Sequence, residues 1–319
     1  MKALRGIHHV TCISGPAQEN LNFYAGVLGM RLVKKSVNQD DPGTYHLFYA
    51  DADGHPGTDL TFFPWAEMAR SRDGYGLSAE VSLSVPPASL VFWSGRLQRN
   101  GVAIGAAETR FGEHVLPIVD PHGLRVALVE SASSMTRPFT PWPESPVPTE
   151  HQIRGLETAR MSEATLHITT SFLERALGFH RIGTEKGWHR WGVGSGTSGE
   201  YVDVREVRGA PRGAGGTGSI HHIAWRVEDE SHQAEVRESV ETSGARPTPV
   251  IDRFWFKSVY FKEPGGVLFE LATDGPGFAV DEDRAQLGES LVLPPWLEQS
   301  RVAIEARVPK LTMPWMHKG

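Results

Sequence analysis

The strongest constraint on this chain is that it repeats itself. The stretch "RGIHHV…NFYAGVLGMRLV" near the start returns as "RGLETA…SFLERALGFHRI", with Gly6, Phe23, Leu28 and Gly29 matching Gly155, Phe172, Leu177 and Gly178 at one common offset. A second pair, "SAEVSLSV…NGV…DPHGLRVALVE" and "IHHIAWRV…SGA…EPGGVLFELAT", sets Glu80 opposite His222 and Gly101 opposite Gly244. Several matches at a shared offset indicate duplication. The chain therefore divides into four modules, near residues 4–65, 77–131, 153–207 and 218–273. Between the second and third lies "RPFTPWPESPVPTEH", whose prolines donate no ladder hydrogen bond and restrict their neighbours. It reads as a linker at 137–152 between an N-terminal domain at 1–136 and a C-terminal domain at 153–275, with an extension at 276–319.

Within the first module, "IHHVTCI" alternates like a half-buried strand, and "PAQENLNFYAGVLGM" places Leu21, Tyr24, Val27 and Leu28 on one helical face that Gly29 ends. Three short β-rich runs follow, "RLVKKSV", "YHLFYAD" and "TDLTFFP", separated by Asp, Gly and Pro. The module is βαβββ. After the fourth module, "LPPWLEQSRVAIEARVPKLTMPW" carries no chemical motif and predicts a short, solvated helix over about 297–307.

Charge and cysteine content narrow the partners. A net charge of −6 and a pI near 6.2 provide no basic stripe, so neither nucleic acid nor an anionic membrane surface is an expected partner. The single cysteine, Cys12, rules out an internal disulfide framework. With no signal-peptide run in "MKALRGIHHV", the expected location is the cytoplasm.

The repeated βαβββ pattern with its two His-His strands resembles the vicinal oxygen chelate superfamily over residues 4–275. That superfamily contains glyoxalase I, bleomycin-resistance proteins and extradiol ring-cleaving dioxygenases. The resemblance implies an α+β fold of four βαβββ modules paired into two cupped, β-barrel-like domains around a metal or ligand cavity. In such a fold the first and last strands of paired modules offer inward positions: His9 and Thr61, Glu80 and Ala127, Thr158 and Asp203, His222 and Glu270. Pairing module one with module four unites His9, His222 and Glu270, with Thr61 in the fourth place. The complementary pair offers a poor transition-metal set.

Two imidazoles and one carboxylate with open positions form the facial triad suited to non-haem Fe(II) and dioxygen, and the same ligands accept Mn(II). Fourteen histidines in 319 residues make an adjacent His pair weak evidence alone. Two pairs at equivalent positions of repeated modules are stronger. Neighbouring strand residues face opposite sides, so only one of each pair can be a direct ligand. By resemblance the ligand precedes the aliphatic residue, which selects His9 and His222 and leaves His8 and His221 to support them or relay protons.

Among the subgroups, the resemblance favours hydroquinone-type ring-cleaving dioxygenases. Glyoxalase I carries a carboxylate where this chain has Thr61, and two-domain catechol enzymes carry a histidine where it has Thr158. The hydroquinone subgroup matches in its N-terminal histidine, "EPGGVLFE" and "TRFG" at Thr109–Gly112. It also implies catalytic roles for Arg253 and Tyr260 in "IDRFWFKSVYF", with Trp255 and Phe256 as apolar wall. The expected activity is insertion of both atoms of dioxygen into a hydroquinone- or catechol-type diol. A glyoxalase-like isomerase or lyase and a non-catalytic aromatic-binding protein are the alternatives. Enzymes of this type commonly self-associate, so a homo-oligomer is also an expectation.

Overall fold

The computed structural model describes residues 2–314. The last residues of the extension, 315–319, lie outside the described residues. Module one contains β1 (Ile7–Ser14), α1 (Ala17–Leu21), β2 (Arg31–Asn38), β3 (Asp41–Ala50) and β4 (Asp59–Pro64). Module two contains β5 (Leu77–Val85), α2 (Leu90–Arg99), β6 (Ala103–Ile104), β7 (Glu108–Arg110), β8 (Glu113–Val119) and β9 (Arg125–Glu130). Module three follows with β10 (Gly155–Glu163), α3 (Leu166–Leu177), β11 (His180–Glu185), β12 (Trp188–Gly192) and β13 (Tyr201–Glu206). Module four has β14 (Ser219–Val227), α4 (Glu230–Thr242), β15 (Ile251–Asp252), β16 (Lys257–Lys262) and β17 (Leu268–Thr273).

The pairing of first strands decides the architecture. Strand β1 runs antiparallel to β14 and parallel to β4, while β14 runs parallel to β17, giving one eight-stranded sheet in the order β15-β16-β17-β14-β1-β4-β3-β2. Strands β10 and β5 repeat the arrangement in a nine-stranded sheet. The four modules thus form two cupped sheets, as the family resemblance implies. Each sheet takes one module from either side of residues 137–152, so the sheets do not follow the division at 1–136 and 153–275. The cause is that each first strand exposes a hydrogen-bonding edge that the other half of the chain completes.

The 137–152 segment is anchored rather than free. The Arg137 guanidinium donates to the carbonyls of Leu156 and Gly57, and Thr140 N donates to Asp51 at 2.8 Å. The backs of the two sheets share one continuous apolar core that includes Val10, Ile223, Val81, Leu156 and Ala159. Burial of that surface is the main force holding the halves together, at about 25 cal/mol per Å².

Two local features depart from the sequence reading. The first helix widens into a π-helical turn at Asn22–Val27, with Leu28 N donating to Phe23 O at 2.9 Å. The wider turn brings Phe23 inward beside Leu21, Tyr24 and Leu28 and leaves Val27 only partly buried. Gly29 ends the segment at φ +71°, the angle its repeat partner Gly178 also adopts at the end of α3, which explains why both positions are glycine.

The extension carries the expected short helix, largely exposed, but it is anchored at several points. A 3-10 turn at Pro295–Ser300 leads into α5 (Arg301–Arg307), and Leu287, Leu293, Ile304 and Val308 are buried. Val292 N donates to Lys35 O and Lys35 Nζ to Glu289 O, so this segment covers the free edge of β2. No helix of the described residues is long and apolar enough to cross a membrane.

Candidate metal centre

The sheet pairing brings His9 of β1, His222 of β14 and Glu270 of β17 together, all at least 97% buried. His9 Nε2 lies 3.2 Å from His222 Nε2 and 3.2 Å from Glu270 Oε2, and His222 Nε2 lies 2.9 Å from that oxygen. An octahedral ion with bonds of about 2.1 Å has edges of about 3.0 Å, whereas a tetrahedral one needs about 3.4 Å. The three edges fall in the range that donors sharing one divalent ion require. Among the described residues it is the one cluster of three such groups close enough to share an ion.

The surroundings set the three donor atoms for a cation. His8 Nδ1 lies 2.9 Å from His9 Nδ1, and His221 Nδ1 lies 2.8 Å from His222 Nδ1. The contact permits His8 Nδ1 to accept the Nδ1 proton of His9. His9 Nε2 then presents its lone pair to the centre. The His221–His222 contact permits the same tautomer on the other side. Ser258 Oγ donates to Glu270 Oε1, while Oε2 is buried without a hydrogen-bond partner. Three electron pairs converging in a dry site fit a bound divalent cation.

The electrostatics call for positive charge at this spot. Burial alone would raise the Glu270 carboxyl, but positive charge and proton donation from the His9 and His222 imidazoles outweigh it and hold the group well below the usual range, and a bound cation would supply the same stabilisation in their place. Burial, reinforced by the adjacent ligand imidazole, pushes His8 and His221 each down to about 3, so both stay neutral.

A pseudo-twofold relates the two halves of this cup. Glu270 is registered opposite Ala224 and Tyr260, and Thr61 stands at the equivalent point opposite Thr11 and Phe48. Thr61 Oγ1 is bonded to Thr11 Oγ1 at 2.8 Å and to His46 Nε2 at 2.9 Å. The fourth position therefore holds a neutral hydroxyl. One face of the triad is left to a cavity lined by His46, Phe48, Phe63, Arg253, Phe256 and Tyr260, among others.

Of the residues implied by resemblance, Arg253 and Tyr260 line this cavity with His9 and His222, whereas His8 and His221 stand behind the ligands and do not line it. Arg253 pairs with Asp40 at 2.8 Å, and its guanidinium carbon lies 5.5 Å from the Tyr260 ring centre. Burial, with the Glu270 charge, raises the Tyr260 phenol and keeps it protonated. Phe254 holds φ at +75°, a strained angle for a side-chain-bearing residue, in the tight turn from Arg253 to Phe256. Phe256 packs 5.2 Å from the His9 ring and 5.3 Å from the His8 ring.

Sequence reasoning missed His46 and Ser258. The pseudo-twofold places them at equivalent positions, His46 holding Thr61 as Ser258 holds Glu270. Aligning the third strands of modules one and four in that register was the signal that could have found them.

Among the described residues the second cup holds no cluster of metal-binding groups. Glu80 is engaged by Arg110, and Asp203 by Arg190 at 2.8 Å and Arg160 at 3.4 Å, so guanidinium groups neutralise the carboxylates. The "TRFG" stretch falls here, with Arg110 on Glu80 and Phe111 stacked 4.2 Å from Arg190. A larger cleft of about 510 Å³, lined by Arg70, Arg72, Arg125 and Arg205, holds no cluster of metal-binding groups, so size does not locate the chemistry.

Comparison with known proteins accords with this fold. The chain matches the Glyoxalase/Bleomycin resistance protein/Dioxygenase superfamily at residues 6–128 and 164–271, and it belongs to that superfamily. It is 41% identical over 304 residues to "Putative ring-cleaving dioxygenase MhqO" of Bacillus subtilis (strain 168), covering 95% of this chain and 96% of that protein. It is 31% identical to "Chlorohydroquinone/hydroquinone 1,2-dioxygenase" of Sphingobium indicum, covering 92% and 93% of the two chains. A crystal structure of a Bacillus subtilis protein described as a "putative dioxygenase" superposes with a TM-score of 0.90 at 39% identity, covering 98% of this chain and 99% of that one. Maize glyoxalase I, at 14% identity and a TM-score of 0.61 over 84% of this chain and 92% of its own, shares the fold.

Proposed function

We propose that the chain is an Fe(II)-dependent ring-cleaving dioxygenase, with His9, His222 and Glu270 as the ligands and a hydroquinone- or catechol-type diol as substrate. The observation that carries this reading is the triangle of two imidazole nitrogens and one carboxylate oxygen, its open face turned to a cavity holding Arg253 and Tyr260. The relatives named as ring-cleaving and hydroquinone dioxygenases support it. Fe(II) suits the donor set, with Mn(II) as the alternative. Bound there, the ion would supply a Lewis-acidic, redox-active contact for diol and dioxygen.

The protein's own groups do the rest. His8 and His221 fix the ligand tautomers and are positioning residues, since neither reaches the cavity. Arg253 stabilises negative charge on the bound phenolate, and the protonated Tyr260 donates a hydrogen bond to the reacting oxygen. Phe48, Phe63 and Phe256 exclude water. One ring carbon–carbon bond breaks and both oxygen atoms enter the product, with the ring supplying the electrons. Thr61 disfavours a glyoxalase-like isomerase, which needs a carboxylate at that position. The single buried thiol, Cys12, accords with a cytoplasmic enzyme.

The test is anaerobic reconstitution with Fe(II), then oxygen uptake with substituted hydroquinones and catechols. Uptake matched one-to-one by a ring-opened chromophore supports the reading. Iron-loaded protein that consumes no oxygen with either diol class overturns it.

A further inference from the structure

His46 is a cavity imidazole with one nitrogen to spare. Its ring is held between Phe48, at 3.9 Å between centroids, and Phe63, at 4.4 Å, while Nε2 bonds Thr61 Oγ1 at 2.9 Å. The ring is therefore held at one end by Thr61 and packed against two aromatic neighbours. Nδ1 has no partner among the described residues. On the same wall, Asn38 Oδ1 accepts from Asp40 N, Gln39 Nε2 donates to Arg253 O, and Asp40 pairs with the Arg253 guanidinium. Each of those polar side chains already holds a protein partner.

We infer that His46 Nδ1 binds the hydroxyl of a 1,4-diol that lies farther from the metal, and thereby sets the cavity for hydroquinones over catechols. The inference rests on the diol reading of the site. When one oxygen of a 1,4-diol lies at the triad, the second projects from the opposite end of the ring, and the β3 and β4 lining offers it Phe48 and Phe63 beside His46. An unpaired hydroxyl there would be disfavoured. A neutral imidazole nitrogen either donates or accepts, and a hydroxyl answers both, so the contact forms with either tautomer. A catechol carries both oxygens at one end and presents only C–H to His46, leaving the nitrogen unanswered. Sites built around such a bond reject the analogue that lacks it. Placement on module one, across from Arg253 and Tyr260 on module four, lets the two ends of the ring be held from opposite sides.

The test compares hydroquinone with phenol, which lacks the second hydroxyl, in equilibrium binding to Fe(II)-loaded protein without oxygen. The wild type should prefer hydroquinone by about 10-fold. His46→Leu should bring that ratio close to one while iron content and phenol affinity stay unchanged, and His46→Gln should restore part of it. Should the leucine variant fold poorly, His46→Phe, matched in shape to its two neighbours, carries the same test. A ratio retained in the apolar variant, or absent from the wild type, overturns the inference. Because no turnover is involved, a wild type that binds with the expected ratio but consumes no oxygen would sink the dioxygenase reading and leave this contact standing.

Discussion

Thr61 and Glu270 occupy equivalent points of one pseudo-twofold cup, yet one is a hydroxyl tied to Thr11 and His46 and the other a carboxylate facing two imidazoles. That asymmetry gives the centre three protein donors instead of four. It leaves open the face on which two further molecules could meet.

Restoring the symmetry should close that face. Thr61→Glu is expected to keep or tighten metal binding while lowering oxygen uptake by more than about 100-fold, since a fourth ligand fills the needed position. The metal-free variant should be less stable by several kcal/mol, because the added carboxylate is buried without a donor. Metal content, oxygen electrode traces and thermal midpoints with and without iron decide it. Undiminished uptake would show that the fourth position does not matter.

Loss of a ligand should cost the ion and not the fold. His9→Ala and Glu270→Ala are each expected to bind Fe(II) at least about 100-fold more weakly. Circular dichroism should stay native, because the sheet pairing does not depend on these side chains. Stoichiometric iron in both variants would remove the proposed ligand set.

The histidines behind the ligands should matter less and differently. His8→Ala and His221→Ala each remove the acceptor that fixes a ligand tautomer, and a loss of about 10- to 100-fold in metal affinity is expected. Catalytic loss should be recovered largely by excess Fe(II). If saturating metal leaves the rate depressed a further 100-fold, these residues act on the reaction and the positioning role is too small.

Tyr260→Phe tests the oxygen-facing wall. With the phenol held protonated, its removal should lower kcat by about 10- to 100-fold and leave iron content intact. Unchanged steady-state kinetics would exclude a direct role.

A pH effect is expected far from the centre. Glu163, at the end of β10, is fully buried and neither carboxylate oxygen has a hydrogen-bond partner. Burial first, then the nearby Glu263 carboxylate, pushes its pKa up to about 9. Glu263 itself is engaged by the Thr169 hydroxyl and the amides of Gly265 and Val267. The native state thus keeps a proton that the unfolded chain releases near pH 4, so this stabilising contribution is complete below about pH 4 and fades as pH rises toward 9. Glu163→Gln should therefore be more stable than wild type by more than about 1 kcal/mol at pH 8, with a smaller gain at pH 5. Urea midpoints at the two pH values decide it, and a gain that does not change with pH would refute the assignment.

The modules were legible because duplication leaves matched glycines, such as Gly29 and Gly178, and the family resemblance pointed to His9, His222 and Glu270, which the fold brings together. The role of His46 was not, since it depends on a contact between β3 and β4 and on two rings that pack against it. The burial of parts of the extension was missed because its buried apolar residues, Leu287, Leu293, Ile304 and Val308, are few and widely spaced. Their burial follows from the edge of β2 that they cover, a long-range demand that local pattern does not carry. The guanidinium groups of the second cup escaped notice for a related reason: Arg110, Arg160 and Arg190 lie on different strands and meet only after folding.

The interleaving of first and last modules also has a temporal side. His9 and His222 stand 213 residues apart in sequence, and Glu270 leaves the ribosome later still. During synthesis, β1 waits with an unpaired edge until β14 arrives, so a nascent fragment lacking module four has neither His222 nor Glu270 and cannot assemble the proposed centre. Truncated products of this gene should accordingly be inert toward diols and prone to stick through that waiting strand.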